Sequence, residues 1–126
     1  GQPVRAPVYD FRTHTRQPIT RTITPPKYLL IEGLFALYFP TLRALCSYRI
    51  YVDIDSITSM ERRIRRDSIE RDRPETSVRQ QFKLQVEPMT QRYIVPTQSH
   101  ADCIVSGART PAALCAQIQQ ATSHLK

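Results

Sequence analysis

Between positions 60 and 73 the chain reads Met60-Glu61-Arg62-Arg63-Ile64-Arg65-Arg66-Asp67-Ser68-Ile69-Glu70-Arg71-Asp72-Arg73, with six arginines and no lysine. A guanidinium offers a rigid fork of donors that matches phosphate oxygens two at a time, whereas an ammonium is a hydrated point charge. The composition therefore suits a planar, multi-oxygen anion as partner. On a helix, at about 100° per residue, Arg62, Arg66 and Arg73 fall within about 40° of one another, with Arg63 and Arg65 flanking them. The opposite seam, Ile57, Met60 and Ile64, has the i, i+3, i+7 spacing of a face packed on a core. The same stretch also fits a solvated helix laced with ion pairs, because Glu61, Asp67, Glu70 and Asp72 interleave with the arginines.

The surrounding elements must hold that helix in place. It is expected over residues 56–71, with Ser56 or Asp55 as N-cap and Pro74 as its stop. Pro74 also suits the first turn of a following helix over 75–92, which carries Val78, Phe82, Val86 and Met89 on one side. Residues 28–31, Tyr-Leu-Leu-Ile, form a short unbroken apolar run of the kind found in strands buried on both faces of a parallel sheet. Residues 48–54 and 103–105 are two further strand candidates. Residues 34–46 read as partly helical with a break at Pro40, 93–96 as a loop at Pro96, and 111–125 as a closing helix. Residues 1–27 are broken by five prolines and read as extended loop with a hairpin, marked by the β-branched run at 20–23. Strands alternating with helices predict an α/β, doubly wound plan.

At 126 residues and 40% hydrophobic content, the chain is one small domain or part of a larger one. Its net charge of +7 rests on 15 arginines against 3 lysines, which points to an anionic partner. Nucleic acid stays open beside a phosphorylated small molecule. Against it, the arginines gather in one helix while the aromatics lie mostly elsewhere. Cys46, Cys103 and Cys115 are odd in number and far apart, without a CxxC pair or a Cys/His cluster. They read as buried, reduced thiols rather than a disulfide framework or a zinc site. No apolar run approaches the roughly 20 residues of a membrane span and no signal peptide is visible, so the expectation is a cytoplasmic chain with no membrane partner.

Three segments carry a family resemblance. Pro7-Val8-Tyr9-Asp10-Phe11-Arg12-Thr13-His14-Thr15-Arg16 resembles the PxYDFxxHxR stretch of uridine/cytidine kinases and the related phosphoribulokinase group. Leu30-Ile31-Glu32-Gly33-Leu34-Phe35-Ala36-Leu37 is similar to that family's strand-end EGILA motif. Ile50-Tyr51-Val52-Asp53-Ile54-Asp55, followed by the arginine stretch, resembles its FVDTD…RRxxRDxxERGR signature. Gln81-Phe82, Val86-Glu87-Pro88-Met89, Pro96-Thr97 and Ala101-Asp102-Cys103-Ile104 match the QY, VKPM, PTK and ADVII positions in order. The resemblance covers nearly the whole chain.

It implies an ATP-dependent transfer of the γ-phosphoryl group to a nucleoside hydroxyl, with ATP and Mg²⁺ as cofactors, inside a P-loop kinase-like parallel sheet with an arginine-rich lid helix. By resemblance, Arg66 and Arg71 would contact the ATP phosphates and the transferring group. Arg63 and Arg73, with Gln81 beside them, would stand on the nucleoside or ribose side; spacing alone does not apportion the four arginines. Tyr9 and His14 match positions that hold the pyrimidine base. Tyrosine can stack and hydrogen-bond, and a neutral histidine can read a base edge. Without the motif they read as a packed tyrosine and a loop histidine. Glu32 would lie near Mg²⁺ or its waters, the alternative being a carboxylate that caps the turn at Gly33. Asp53 and Asp55 also end a strand, but helix capping accounts for them.

The chain departs from the pattern in what it lacks. Its three glycines, Gly1, Gly33 and Gly107, form no GxxxxGK[S/T] phosphate loop. The family's early acidic residue, the general base on the sugar hydroxyl, has no counterpart either. The expectation is thus a single incomplete domain, the C-terminal portion of a kinase. It divides into an acceptor-binding loop or hairpin at 1–27, core strands and helix at 28–55, lid and following helix at 56–92, and a closing strand and helix at 93–126. On its own it should not turn over ATP, and it should associate with a phosphate-loop segment or form a homo-oligomer. Asp72 replaces the glycine usual in ERGR, adding a negative charge to the lid. A catalytically inactive nucleotide- or phosphate-binding module and a sugar-phosphate kinase are the competing readings.

Overall fold

The computed structural model describes residues 1–10, 13 and 15–125. The chain divides into two compact units, Gly1–Ile31 and Glu32–Lys126.

The first unit is a β-hairpin. Strand β1 (Val4–Asp10) pairs antiparallel with β2 (Thr15–Ile23), in a register running from Val4 opposite Ile23 to Asp10 opposite Thr15. The β-branched run expected at 20–23 lies within β2, where Thr20, Thr22 and Ile23 pair with Pro7, Arg5 and Val4. The register slips between Pro7 and Tyr9. Proline has no N–H to give the ladder, so an irregularity beside Pro7 follows from its chemistry.

In the second unit, helix α1 (Pro40–Leu45) begins at the proline expected to restart it. Strand β3 (Ile50–Asp53) and strand β4 (Cys103–Ser106) form a parallel pair, with Ile50 opposite Cys103 and Val52 opposite Val105. The α/β class with a parallel sheet therefore holds, as in a P-loop kinase-like fold. Arg49 and Asp102 clamp the entrance to this pair. The Arg49 amide and Nε donate to Oδ2 at 2.8 and 2.9 Å, and Nη2 donates to Oδ1 at 2.7 Å. At the exit, the Gly107 amide donates to the Asp53 carbonyl at 2.7 Å.

Helix α2 (Ser56–Arg71) has the bounds the sequence predicts. Its N-cap is Asp55, whose Oδ1 accepts from the Thr58 amide at 2.8 Å. After Pro74, helix α3 (Glu75–Gln81) passes into a π-helical turn (Phe82–Val86), the short α4 (Glu87–Met89), a second π-helical turn (Thr90–Ile94) and a 3₁₀ helix (Val95–His100). Pro88 cannot donate to the carbonyl four residues back, and wider turns lie on both sides of it. Helix α5 (Pro111–Ala121) closes the chain. The apolar core is small: Val78, Phe82 and Val105 are buried.

Four sequence expectations change. Residues 28–31 form no strand, and Tyr28, Leu29 and Leu30 are exposed, Leu30 at 87%. Apolar composition suits a buried strand, but a strand exists only through a hydrogen-bonded neighbour, and neither two-stranded sheet includes this stretch. The expected loop at 93–96 is helical, because Pro96 sits in the first turn of its 3₁₀ helix, where its missing N–H costs nothing. The inward edge of α2 runs through half-buried Met60, Arg63 and Ile64 to buried Asp67, leaving Ile57 exposed. None of the three cysteines is buried; all are free, and Cys115 is exposed. No helix among the described residues is long and apolar enough to cross a membrane.

Candidate functional site

The site grows from the end of α2. Asp67, in its last turns, is completely buried. Four residues later the helix stops, and Asp72 takes the left-handed conformation (φ 49°, ψ 40°) with its amide bonded to the Asp67 carbonyl. The Arg73 amide reaches the same carbonyl at 3.2 Å, and the Ser68 hydroxyl donates to the Arg73 carbonyl at 3.3 Å. This turn doubles the chain back and returns Arg73 to the Asp67 carboxylate. Pro74 then launches α3 at an angle that sets Gln81 beside the same group.

Four guanidiniums converge there. Arg66 grips Oδ1 with Nε at 2.9 Å and Nη2 at 2.8 Å, and Arg71 Nη1 lies 3.5 Å from Oδ1. On the other oxygen, Arg73 Nη1 lies 3.4 Å and Arg63 Nε 3.6 Å from Oδ2. Gln81 Oε1 accepts from Arg73 at 2.9 Å and from Arg63 at 3.3 Å. Arg73 Nη2 also reaches the Ser77 hydroxyl at 3.4 Å. A cavity of about 300 Å³ opens beside this cluster, lined by Arg73, Ser77, Gln80, Gln81, Leu84 and Gln85.

The electrostatics follow from the count: four cations surround one carboxylate, a surplus of three positive charges. The hydrogen bond from Arg66 holds the Asp67 carboxyl below its ordinary range. Burial opposes this, and the charges of Arg66, Arg71 and Arg63 add to the lowering. The Arg66 and Arg71 side chains remain about half exposed, at 47% and 55%, while Arg63 and Arg73 are more enclosed. Such a set can bind a second, polyvalent anion on its open side.

Of the residues singled out from sequence, Arg63, Arg66, Arg71, Arg73 and Gln81 stand in this one cluster. Arg62 does not join it, contrary to the periodicity argument. Its Nη1 donates instead to the Gly107 carbonyl at 3.0 Å, at the exit of the β3–β4 pair. Arg66 and Arg73 do meet, but through the turn at Asp72 and not by helical spacing, which cannot be carried past that left-handed residue, while Arg62 is drawn away by the Gly107 carbonyl. Tyr9 belongs to the hairpin unit, opposite Arg16 and 47% exposed. His14 lies outside the described residues. Glu32 is exposed rather than at the end of a buried strand. No group of three or more His, Cys, Asp or Glu side chains able to hold a metal exists among the described residues. Asp67 is the residue that sequence reasoning passes over. Its signal is its position, four residues after Arg63, four before Arg71 and next to Arg66.

Known proteins share this arrangement of sequence. The model of the phosphoribulokinase/uridine kinase family matches residues 1–113. A uridine kinase of Staphylococcus epidermidis is 42% identical over 105 residues, which are 83% of this chain and 51% of that protein. A uridine kinase of Chloroflexus aurantiacus is 39% identical over 115 residues, 90% of this chain and 55% of that protein. One from Staphylococcus carnosus is 42% identical over 105 residues, 83% and 50%. The chain belongs to the phosphoribulokinase/uridine kinase family. It spans about half the length of the curated relatives it matches.

Proposed function

We propose that this chain is the phosphate-gripping and acceptor-binding portion of an ATP-dependent nucleoside kinase acting on uridine or cytidine. The observation that carries the proposal is the gathering of four guanidiniums, with a surplus of positive charge, beside a cavity lined by Gln81. Family membership and relatives named uridine kinase support the choice of reaction.

ATP would supply the phosphoryl group. Arg66 and Arg71, the more exposed pair, would take phosphate oxygens two at a time and offset the charge that spreads over the transferring group. Closing this helix over the phosphates would exclude water, which strengthens the same contacts. Arg63 and Arg73 would face the nucleoside, with Gln81 holding both guanidiniums by its carbonyl oxygen. Tyr9 and His14 would receive the pyrimidine ring, by stacking and by a hydrogen bond to its edge. The phosphate loop, the base on the acceptor hydroxyl and most of any Mg²⁺ coordination would come from residues outside 1–126. Glu32 would contribute only through water. The chain alone would then bind phosphates without turnover, and would act in the cytoplasm, joined to such a segment or as a homo-oligomer.

The test is a chimaera joining the phosphate-loop half of the Staphylococcus epidermidis uridine kinase to residues 1–126. ATP-dependent phosphorylation of uridine or cytidine is expected. A folded chimaera inactive on both nucleosides and on sugar phosphates sinks the enzyme reading. A second reading, an inactive nucleotide-binding module, draws on the guanidinium cluster itself, which can hold phosphates without transferring one. It would be favoured by an inactive chimaera together with stoichiometric nucleotide binding by the chain itself in calorimetry.

A further inference from the structure

The two oxygens of the Asp67 carboxylate divide their partners. Oδ1 takes Arg66 and Arg71; Oδ2 takes Arg63 and Arg73. Gln81 Oε1 binds the second pair only. The carboxylate is a rigid plane on a short stem, so one oxygen cannot move without the other. Complete burial leaves little room for water to replace a guanidinium that lets go. Arg63 Nε is already buried without a hydrogen bond, 3.6 Å from Oδ2, so a small turn of the carboxylate toward it would gain a contact on that side and lengthen those to Arg66 on the other.

We infer that Asp67 is a positioning residue that couples two subsites: whatever reorders Gln81, Arg63 and Arg73 re-aims Arg66 and Arg71 through its carboxylate. What each subsite holds rests on the reading proposed above, acceptor on the Gln81 side and phosphates on the Arg66 side. The coupling itself is a property of this chain and needs no ligand. On that reading, an acceptor drawing Gln81 and its two arginines into one arrangement presets the other pair for the polyphosphate. Linkage requires that the polyphosphate favour acceptor binding by the same factor.

The experiment uses the full 126-residue chain with ¹⁵N label and reads the Arg66 Nε–Hε resonance, whose proton points at Oδ1. Gln81→Ala removes the acceptor shared by Arg63 and Arg73. It is expected to shift the Arg66 resonance by more than its linewidth, and to leave it in place in an Asp67→Asn background. Calorimetry with tripolyphosphate gives the second reading. Gln81→Ala should weaken binding by about fivefold in the native background and by under about twofold beside Asp67→Asn. An Arg66 resonance unmoved by Gln81→Ala overturns the coupling, as does an equal fold-change in both backgrounds. If circular dichroism finds Asp67→Asn unfolded, the single variant Gln81→Ala still decides by whether the Arg66 resonance moves. A native chain that binds no tripolyphosphate removes the phosphate reading, while the resonance continues to decide the coupling.

Discussion

The Arg66 guanidinium folds back on its sequence neighbour Asp67, meeting Oδ1 with Nε at 2.9 Å and Nη2 at 2.8 Å. Adjacent helix positions point about 100° apart and do not normally face each other. Only a side chain as long as arginine bridges that angle, and in doing so it gives the buried carboxylate its closest partner. Lysine here would lose both the fork and the second contact.

That relationship fixes a direction for acid stability. The folded-state carboxyl of Asp67 is lowered first by the Arg66 hydrogen bond. Asp55 is lowered by the Thr58 amide, and Asp102 by the Arg49 side chain. A carboxyl whose folded pKa lies below its unfolded value of about 3.9 stabilises the fold above that value. The contribution is lost as pH falls through the folded pKa. These three groups should leave stability flat between about pH 5 and 8 and lower it progressively below about pH 4. Urea midpoints at pH 7, 5, 4 and 3 measure this, and Asp67→Asn should remove part of the decline. A native midpoint that holds steady from pH 5 to 3 contradicts the assignment.

Helix α2 is legible in the sequence because local chemistry decides it. Asp55 caps it, Pro74 forbids its extension, and Met60, Glu61 and the arginines at its centre are good helix formers. The strands at Ile50–Asp53 and Cys103–Ser106 are legible because each is a short apolar run that finds the other. Residues 28–31 have the same composition and no pairing partner among the described residues, a fact that composition does not encode. The arginine cluster is legible as residue types but not as geometry. A charged residue inside a helix ordinarily faces water, so Asp67 reads as one more surface carboxylate. Its burial depends on Arg73 returning through the turn at Asp72, a contact that helical periodicity cannot express.

Gly107 joins the parallel strands to α2, since its amide bonds Asp53 and its carbonyl accepts from Arg62. A Cβ built there would lie 3.1 Å from Val52 Cγ1, 3.2 Å from the Asp53 carbonyl oxygen and 3.3 Å from Ile54 Cβ. Two of these neighbours are held by the strand and cannot easily give way. Gly107→Ala should therefore destabilise the chain by about 1–3 kcal/mol, as overpacking does. Arg62→Ala removes only the bond to the carbonyl and should cost about 0.5–1.5 kcal/mol. Urea unfolding measures both, and a Gly107→Ala chain as stable as the native one would show that the close approach is not tight.

Organised recognition can be separated from bulk positive charge by comparing arginines of equal charge. Arg65 is exposed on α2 and outside the Asp67 cluster, whereas Arg66 and Arg71 are tied to Oδ1. Each alanine substitution removes one positive charge from the same helix. Loss of a charge-assisted contact to phosphate costs about 1.5–3 kcal/mol, or roughly 10- to 150-fold in affinity. Arg66→Ala and Arg71→Ala should weaken tripolyphosphate binding within that range, and Arg65→Ala by under about threefold. Equal losses at all three positions, measured by calorimetry at one ionic strength, would mean that the helix attracts anions only through its total charge.

Asp72 stands at φ 49°, where a side chain crowds the backbone and glycine does not. It ends α2 with its amide on the Asp67 carbonyl, so the turn that returns Arg73 to the cluster depends on this strained residue. Aspartate tolerates the conformation better than most residues, yet glycine removes the penalty outright. The substitution also removes a negative charge from the C-terminal end of a helix, where the backbone dipole is itself negative. Both effects act in one direction. Asp72→Gly should raise stability by about 0.5–1.5 kcal/mol and tighten tripolyphosphate binding by a few-fold, since the local surplus of positive charge grows. Asp72→Asn isolates the charge effect while keeping a side chain at positive φ. It should reproduce most of the gain in tripolyphosphate affinity but only the charge part of the gain in urea midpoint. If Asp72→Gly lowers the midpoint, the left-handed turn is not where the strain resides, and the return of Arg73 must be held by the Asp67 and Gln81 contacts alone.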